Sequence, residues 1–101
     1  MKLTWTKVAT TSYDNYLYFL SQQWNTEVVN TFRQLLNEKI KILTAYPKSG
    51  AVFYNSKRIR RLVIHRNTSL YYKALSDEIL ILLIWDNRAD PQELLQILED
   101  K

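Results

Sequence analysis

The chain has 101 residues, 47% of them hydrophobic and 13% aromatic, enough to bury one core but not two, so a single domain over 1–101 is expected. With no cysteine and one histidine, disulfides, thiolate nucleophiles and the common zinc sites are excluded, and no metal or cofactor is expected. The net charge of +4 is modest but uneven: Lys48, Lys57, Arg58, Arg60, Arg61, Arg66 and Lys73 follow one another without an Asp or Glu, while Asp86, Asp90, Glu93, Glu99 and Asp100 make the end acidic.

Residues 3–8, LTWTKV, alternate and are rich in strand formers, which predicts a short first strand. Thr10, Thr11 and Ser12 offer caps for a helix whose stripe is Tyr13, Tyr16, Leu17, Leu20 and Trp24. Asn25 or Thr26 then caps a second helix, with Glu27 set favourably against its dipole and Val28, Phe32, Leu35, Leu36, Ile40 and Leu43 on one side. The run Tyr46-Pro47-Lys48-Ser49-Gly50 ends it, and so short a link between the helices implies an antiparallel hairpin. The aromatic residues Trp5, Tyr13, Tyr16, Trp24 and Phe32 fall at core spacing.

Three strand-like runs follow: KRIRRLVIHR (57–66), SLYYKAL (69–75) and EILILLIWD (78–86). The turns between them are short, which favours an antiparallel meander, and the third run is apolar on both faces and belongs inside the sheet. Asp90 and Pro91 restart the chain as a short helix, QELLQIL. The order β-α-α-β-β-β-α predicts an α+β fold, with the helical hairpin packed on one face of a small, mainly antiparallel sheet. No apolar run is long enough to span a bilayer and the start has no signal-like segment, so a soluble cytoplasmic protein away from the membrane is expected.

The first meander strand raises the functional question. Lys57, Arg58, Arg60, Arg61 and Arg66 could not all be buried unpaired, since an ion buried without a partner costs several kcal/mol. Together with Lys73 they are the candidate contacts to a nucleic acid or another anion. If Asn67 centres the turn, Arg61 stands opposite Lys73, a like-charge conflict that a bound anion would remove. The plainer alternative is a set of solvated salt bridges worth about 0–1 kcal/mol each. Of Tyr71 and Tyr72, one faces the core and the other the open face, where it could stack on a base.

The order of elements, the helix pair YLYFLSQQWNTEVVNTFRQLLNEKIKIL, the YPKSG break, the KRIRRLVIH strand and the ending ILLIWDNRADP resemble the RelE/ParE superfamily of toxins from bacterial type II toxin–antitoxin (plasmid stabilization) systems. The resemblance covers nearly the whole chain. It implies a toxin neutralised by a cognate antitoxin, and a homodimer when free is one arrangement it allows. RelE-like members cut mRNA in the ribosome with cations and a tyrosine, as metal-independent endoribonucleases; ParE-like members poison DNA gyrase without that chemistry. Arg88 falls at the RelE-like phosphate-stabilising arginine, and Arg60 or Arg61 lies near the paired basic positions. The next expected arginine is Ser69, and the C-terminal tyrosine falls near Leu94, which cannot donate a proton.

Cleavage of RNA by its own 2′-hydroxyl would need one proton taken, one given and phosphoryl charge stabilised. Arg61 and Arg88 suit the last task, and His65 is the side chain whose ordinary pKa suits proton transfer, with Tyr71, Tyr72 and Asp86 less natural choices, so Arg61, Arg88 and His65 are the candidate catalytic residues. Equally, His65 can be an ordinary surface residue and Arg88 can simply pair with Asp86 or Asp90. Ribosome-dependent mRNA cleavage is the function this reading favours; a gyrase poison and a non-toxic RNA-binding module are the alternatives.

Overall fold

In the computed structural model, which describes residues 1–53, 56–99 and 101 save the side chains of 56 and 57, strand β1 (Lys2–Trp5) turns at once into helix α1 (Lys7–Gln23). Thr6 caps that helix by accepting a 3.0 Å hydrogen bond from the Ala9 amide, so the cap expected at Thr10, Thr11 or Ser12 lies about a turn too late. Ser12 instead fastens helix to sheet: its Oγ donates to the Ala9 carbonyl at 2.8 Å and accepts from the Ile84 amide at 3.0 Å. Asn25 caps α2 (Thr26–Ala45) as expected, its side chain accepting from the Val28 amide at 3.0 Å.

Four further strands, β2 (Ala51–Phe53), β3 (Ser56–His65), β4 (Thr68–Ala74) and β5 (Glu78–Asp86), complete a sheet of order β1-β5-β4-β3-β2. β1 runs parallel to β5, and the remaining pairs are antiparallel. The interior place of β5 follows from its doubly apolar sequence, because each face must be covered. The hairpin covers one face, where Leu20, Phe32, Leu36 and Leu43 meet Ile64, Leu70, Tyr72, Ile79, Ile81 and Ile84. Helix α3 (Pro91–Glu99), with Asp90 accepting from the Gln92 amide at 2.9 Å, lays Leu94 and Leu98 on the other face against Phe53, Ile59, Tyr71, Leu82 and Leu83.

Trp5, Tyr13, Tyr16 and Phe32 take part in the hairpin core, with the Tyr16 and Phe32 rings 4.9 Å apart edge to face. Trp24 does not. It closes α1 as the C-cap and is 69% exposed, because the helix ends before its stripe can carry the ring under α2.

The lone glycine marks a clamp between the α2–β2 link and the sheet. The buried Tyr72 hydroxyl accepts from the Gly50 amide at 2.9 Å and donates to the Pro47 carbonyl at 2.8 Å. Burial pushes this phenol above its ordinary value. Tyr72→Phe is expected to cost about 1–3 kcal/mol at neutral pH, since the Gly50 amide loses its buried acceptor. Above about pH 10 the unfolded phenol ionises before the folded one, so folding stability falls from there until the folded group titrates. Urea unfolding from pH 8 to 11 should show that alkaline component in the wild type and not in the phenylalanine variant.

Candidate functional site

Alternation along β3 decides what the basic strand can do. Ile59 packs among the α3-side residues, whereas Leu62 and Ile64 pack under the hairpin, so Arg61 and Arg60 leave on opposite faces. Arg60 donates to the Gly50 carbonyl at 2.8 Å and the Lys48 carbonyl at 3.3 Å, bracing the same link that Tyr72 holds. Arg58 is exposed, and the Lys57 side chain lies outside the described residues. Arg66 stands in the β3–β4 turn, and Lys73 donates to the Lys101 carbonyl oxygen. Among the described residues, then, Arg60 and Arg61 do not share a sheet face, and Arg66 belongs to the turn.

The register also differs from the expected one. A two-residue turn at Arg66-Asn67 and a bulge between Val63 and His65 together set Arg61 opposite Tyr71, not Lys73, whose partner across the sheet's other seam is Leu80. The like-charge conflict therefore does not arise. Tyr71 and Tyr72 do face opposite ways, but both are buried: Tyr71 lies under Phe53, rings 5.3 Å apart edge to face, and is not available to stack on a base.

The three candidate catalytic residues fall in two places. His65, Arg66 and Arg88 rim a hollow at the hairpin tip together with Tyr16, Trp24 and Phe32. Arg88 is held there by Asp86, with Nε–Oδ1 at 3.0 Å, Nη2–Oδ2 at 2.8 Å and its own amide on Oδ1 at 2.9 Å. That fork lowers the Asp86 pKa below its ordinary value, so the pair adds stability above the carboxylate's unfolded pKa and loses it as pH falls through the folded value. Arg88 thus takes the salt-bridge alternative weighed from the sequence, with Asp86 as its partner.

Arg61 belongs elsewhere, to a cavity of about 350 Å³ on the α3 side. Its Nε donates to the Oγ of buried Ser69 at 2.9 Å, and Phe53, Tyr71, Trp85, Asn87 and Leu94 are among the walls. Among the described residues the two hollows share no wall residue, and Asn87 and Arg88, adjacent in sequence, serve different ones. Ser69 stands where the resemblance led us to expect an arginine, and it holds a different one in place. Asn87 escaped the sequence reading, although the WDNRADP segment that contains it did not.

Among the described residues no group of His, Asp and Glu is placed to hold a metal ion, and no helix is long and apolar enough to cross a membrane. No protein-family model matches the chain, and no curated protein does. Solved structures do. A chain described as "Chromosomal ParDE TA system from P. aeruginosa" superposes with a TM-score of 0.72 at 25% identity, covering 85% of this chain and 95% of that one. A "YoeB/ParE toxin from Agrobacterium tumefaciens" gives a TM-score of 0.59 at 16% identity, over 85% and 98% of the two chains. The element order, the mixed sheet with its hairpin and these likenesses show that the chain has the fold of the RelE/ParE toxins, and the 25%-identical ParDE chain supports a place in that superfamily.

Proposed function

We propose that the chain is the toxin of a type II toxin–antitoxin pair, held in check by a cognate antitoxin, and that it arrests growth by binding its target rather than by cutting RNA. The observation that carries this reading is the separation of the candidate catalytic groups. Arg61 stands on the α3 side of the sheet, His65 and Arg88 at the hairpin tip, and the Arg88 fork is already filled by Asp86. A phosphoryl-transfer site needs its proton-transfer group and its cations within hydrogen-bond reach of one phosphate. Arg61 has no such companion among the described residues of its cavity, whose one phenol, Tyr71, is buried beneath Phe53.

DNA gyrase is the target that this non-catalytic branch implies, and the likeness to a chain of a ParDE system supports it. Purified chain added to gyrase and relaxed plasmid should suppress supercoiling. Unaltered supercoiling at large molar excess would remove gyrase as the target.

A further inference from the structure

The cavity around Arg61 has a chemistry of its own. Nε is committed to Ser69 Oγ, which fixes the guanidinium plane, while no hydrogen bond or ion pair engages the two terminal nitrogens among the described residues. Nδ2 of Asn87, another wall residue, is buried without an acceptor. The other walls are largely apolar, Phe53, Tyr71, Trp85, Pro91 and Leu94 among them, and no Asp or Glu is found in the described lining. The cavity thus combines a guanidinium edge and a buried amide, both lacking an acceptor among the described residues, with mostly apolar walls. What fits is a single acceptor-only group on an apolar arm.

We propose that this cavity captures one carboxylate side chain, carried on an apolar stretch of a partner polypeptide. The partner's identity as the neutralising antitoxin rests on the reading above; the chemistry of the cavity does not. A planar guanidinium anchored at Nε offers its outer edge to a carboxylate as a two-pronged fork, and the Asn87 amide in the same wall has a hydrogen bond still to make. RNA fits less well. A nucleic-acid strand carries a charge at every nucleotide and is gripped by a track of cations. Here Arg60 leaves on the opposite face, braced by the Gly50 carbonyl, and Arg88 is engaged by Asp86.

The test is a nuclear magnetic resonance titration of the isotope-labelled full chain with phenylpropionate, a carboxylate on an apolar arm, and with its neutral amide. The Arg61 Nε–H, the Asn87 side-chain amide and the Trp85 indole N–H should shift together, with the acid bound about tenfold or more tightly than the amide, as expected for a charge-assisted fork. Arg61→Gln should lose that preference, Arg61→Lys should keep part of it, and Arg88→Gln should bind as the wild type does. Unchanged spectra away from the cavity show that each variant is folded. Equal binding of acid and amide, or shifts that avoid these three groups, overturns the proposal. So does tetrauridylate binding more tightly at the same groups with an affinity that collapses in salt, which would assign the cavity to RNA. Growth arrest is scored separately: a chain that binds the acid yet is harmless loses the toxin reading and keeps the cavity, and the converse loses only the cavity.

Discussion

Gly50→Ala is expected to destabilise the fold by about 1–3 kcal/mol or more, a large effect for one methyl group. A β-carbon there would lie 2.7 Å from the Tyr72 hydroxyl, 2.8 Å from its ring and 2.8 Å from the Arg61 carbonyl oxygen. None of these can easily yield. The carbonyl belongs to β3, and the phenol is held at both ends of its hydrogen-bond pair by Gly50 and Pro47. Because no glycine of the described chain has positive φ, the penalty is one of space and not of backbone conformation. That distinction is measurable in a double-mutant cycle by urea denaturation. Removing the hydroxyl in Tyr72→Phe takes away the nearest clash, so the double variant should lose less stability than the two single losses added together. Strict additivity would mean that the link between α2 and β2 moves away from Tyr72 and that the clamp is not rigid.

The second large effect is an expected absence of loss. If His65 and Arg88 moved protons and stabilised a phosphate, removing either would cut the rate by about 10²–10⁴-fold, enough to abolish growth arrest at any ordinary expression level. On the present account His65→Ala and Arg88→Ala, alone or together, leave arrest within about twofold of the wild type in induced dose, because neither group shares a site with Arg61. Arg88→Ala has one structural consequence: Asp86 loses its fork, and the turn after β5 loosens. Asp86→Asn is the control for that loosening. A graded assay of colony formation against inducer separates the two accounts.

Much of the fold was legible because its signals are periodic. The helix stripes at Val28, Phe32, Leu36 and Leu43, the Asn25 cap and the doubly apolar run of β5 each report burial directly in sequence. β2 was not legible, since three residues after Gly50 are too few to show a period. Nor was the α1 cap, where three hydroxyls at 10–12 outbid the single Thr6 that the geometry uses.

The site was harder to read, and one short stretch of chain explains most of the difficulty. The two-residue turn at Arg66-Asn67 and the bulge between Val63 and His65 together shift the β3–β4 register, changing what lies opposite Arg61 and turning His65 toward the hairpin tip. A run of cations in one strand also looks like one surface in sequence, yet alternation divides it between two faces. Arg60 became a brace for a loop and Arg61 a lone fork in an apolar cavity.

The claim that the chain binds rather than cuts is tested most directly by mapping mRNA 5′ ends in cells arrested by its expression. The account predicts intact messages with the same ends as in uninduced cells, for the wild type and for the His65→Ala, Arg88→Ala pair alike. New ends inside coding sequences, appearing on induction and vanishing in that double variant, would contradict it.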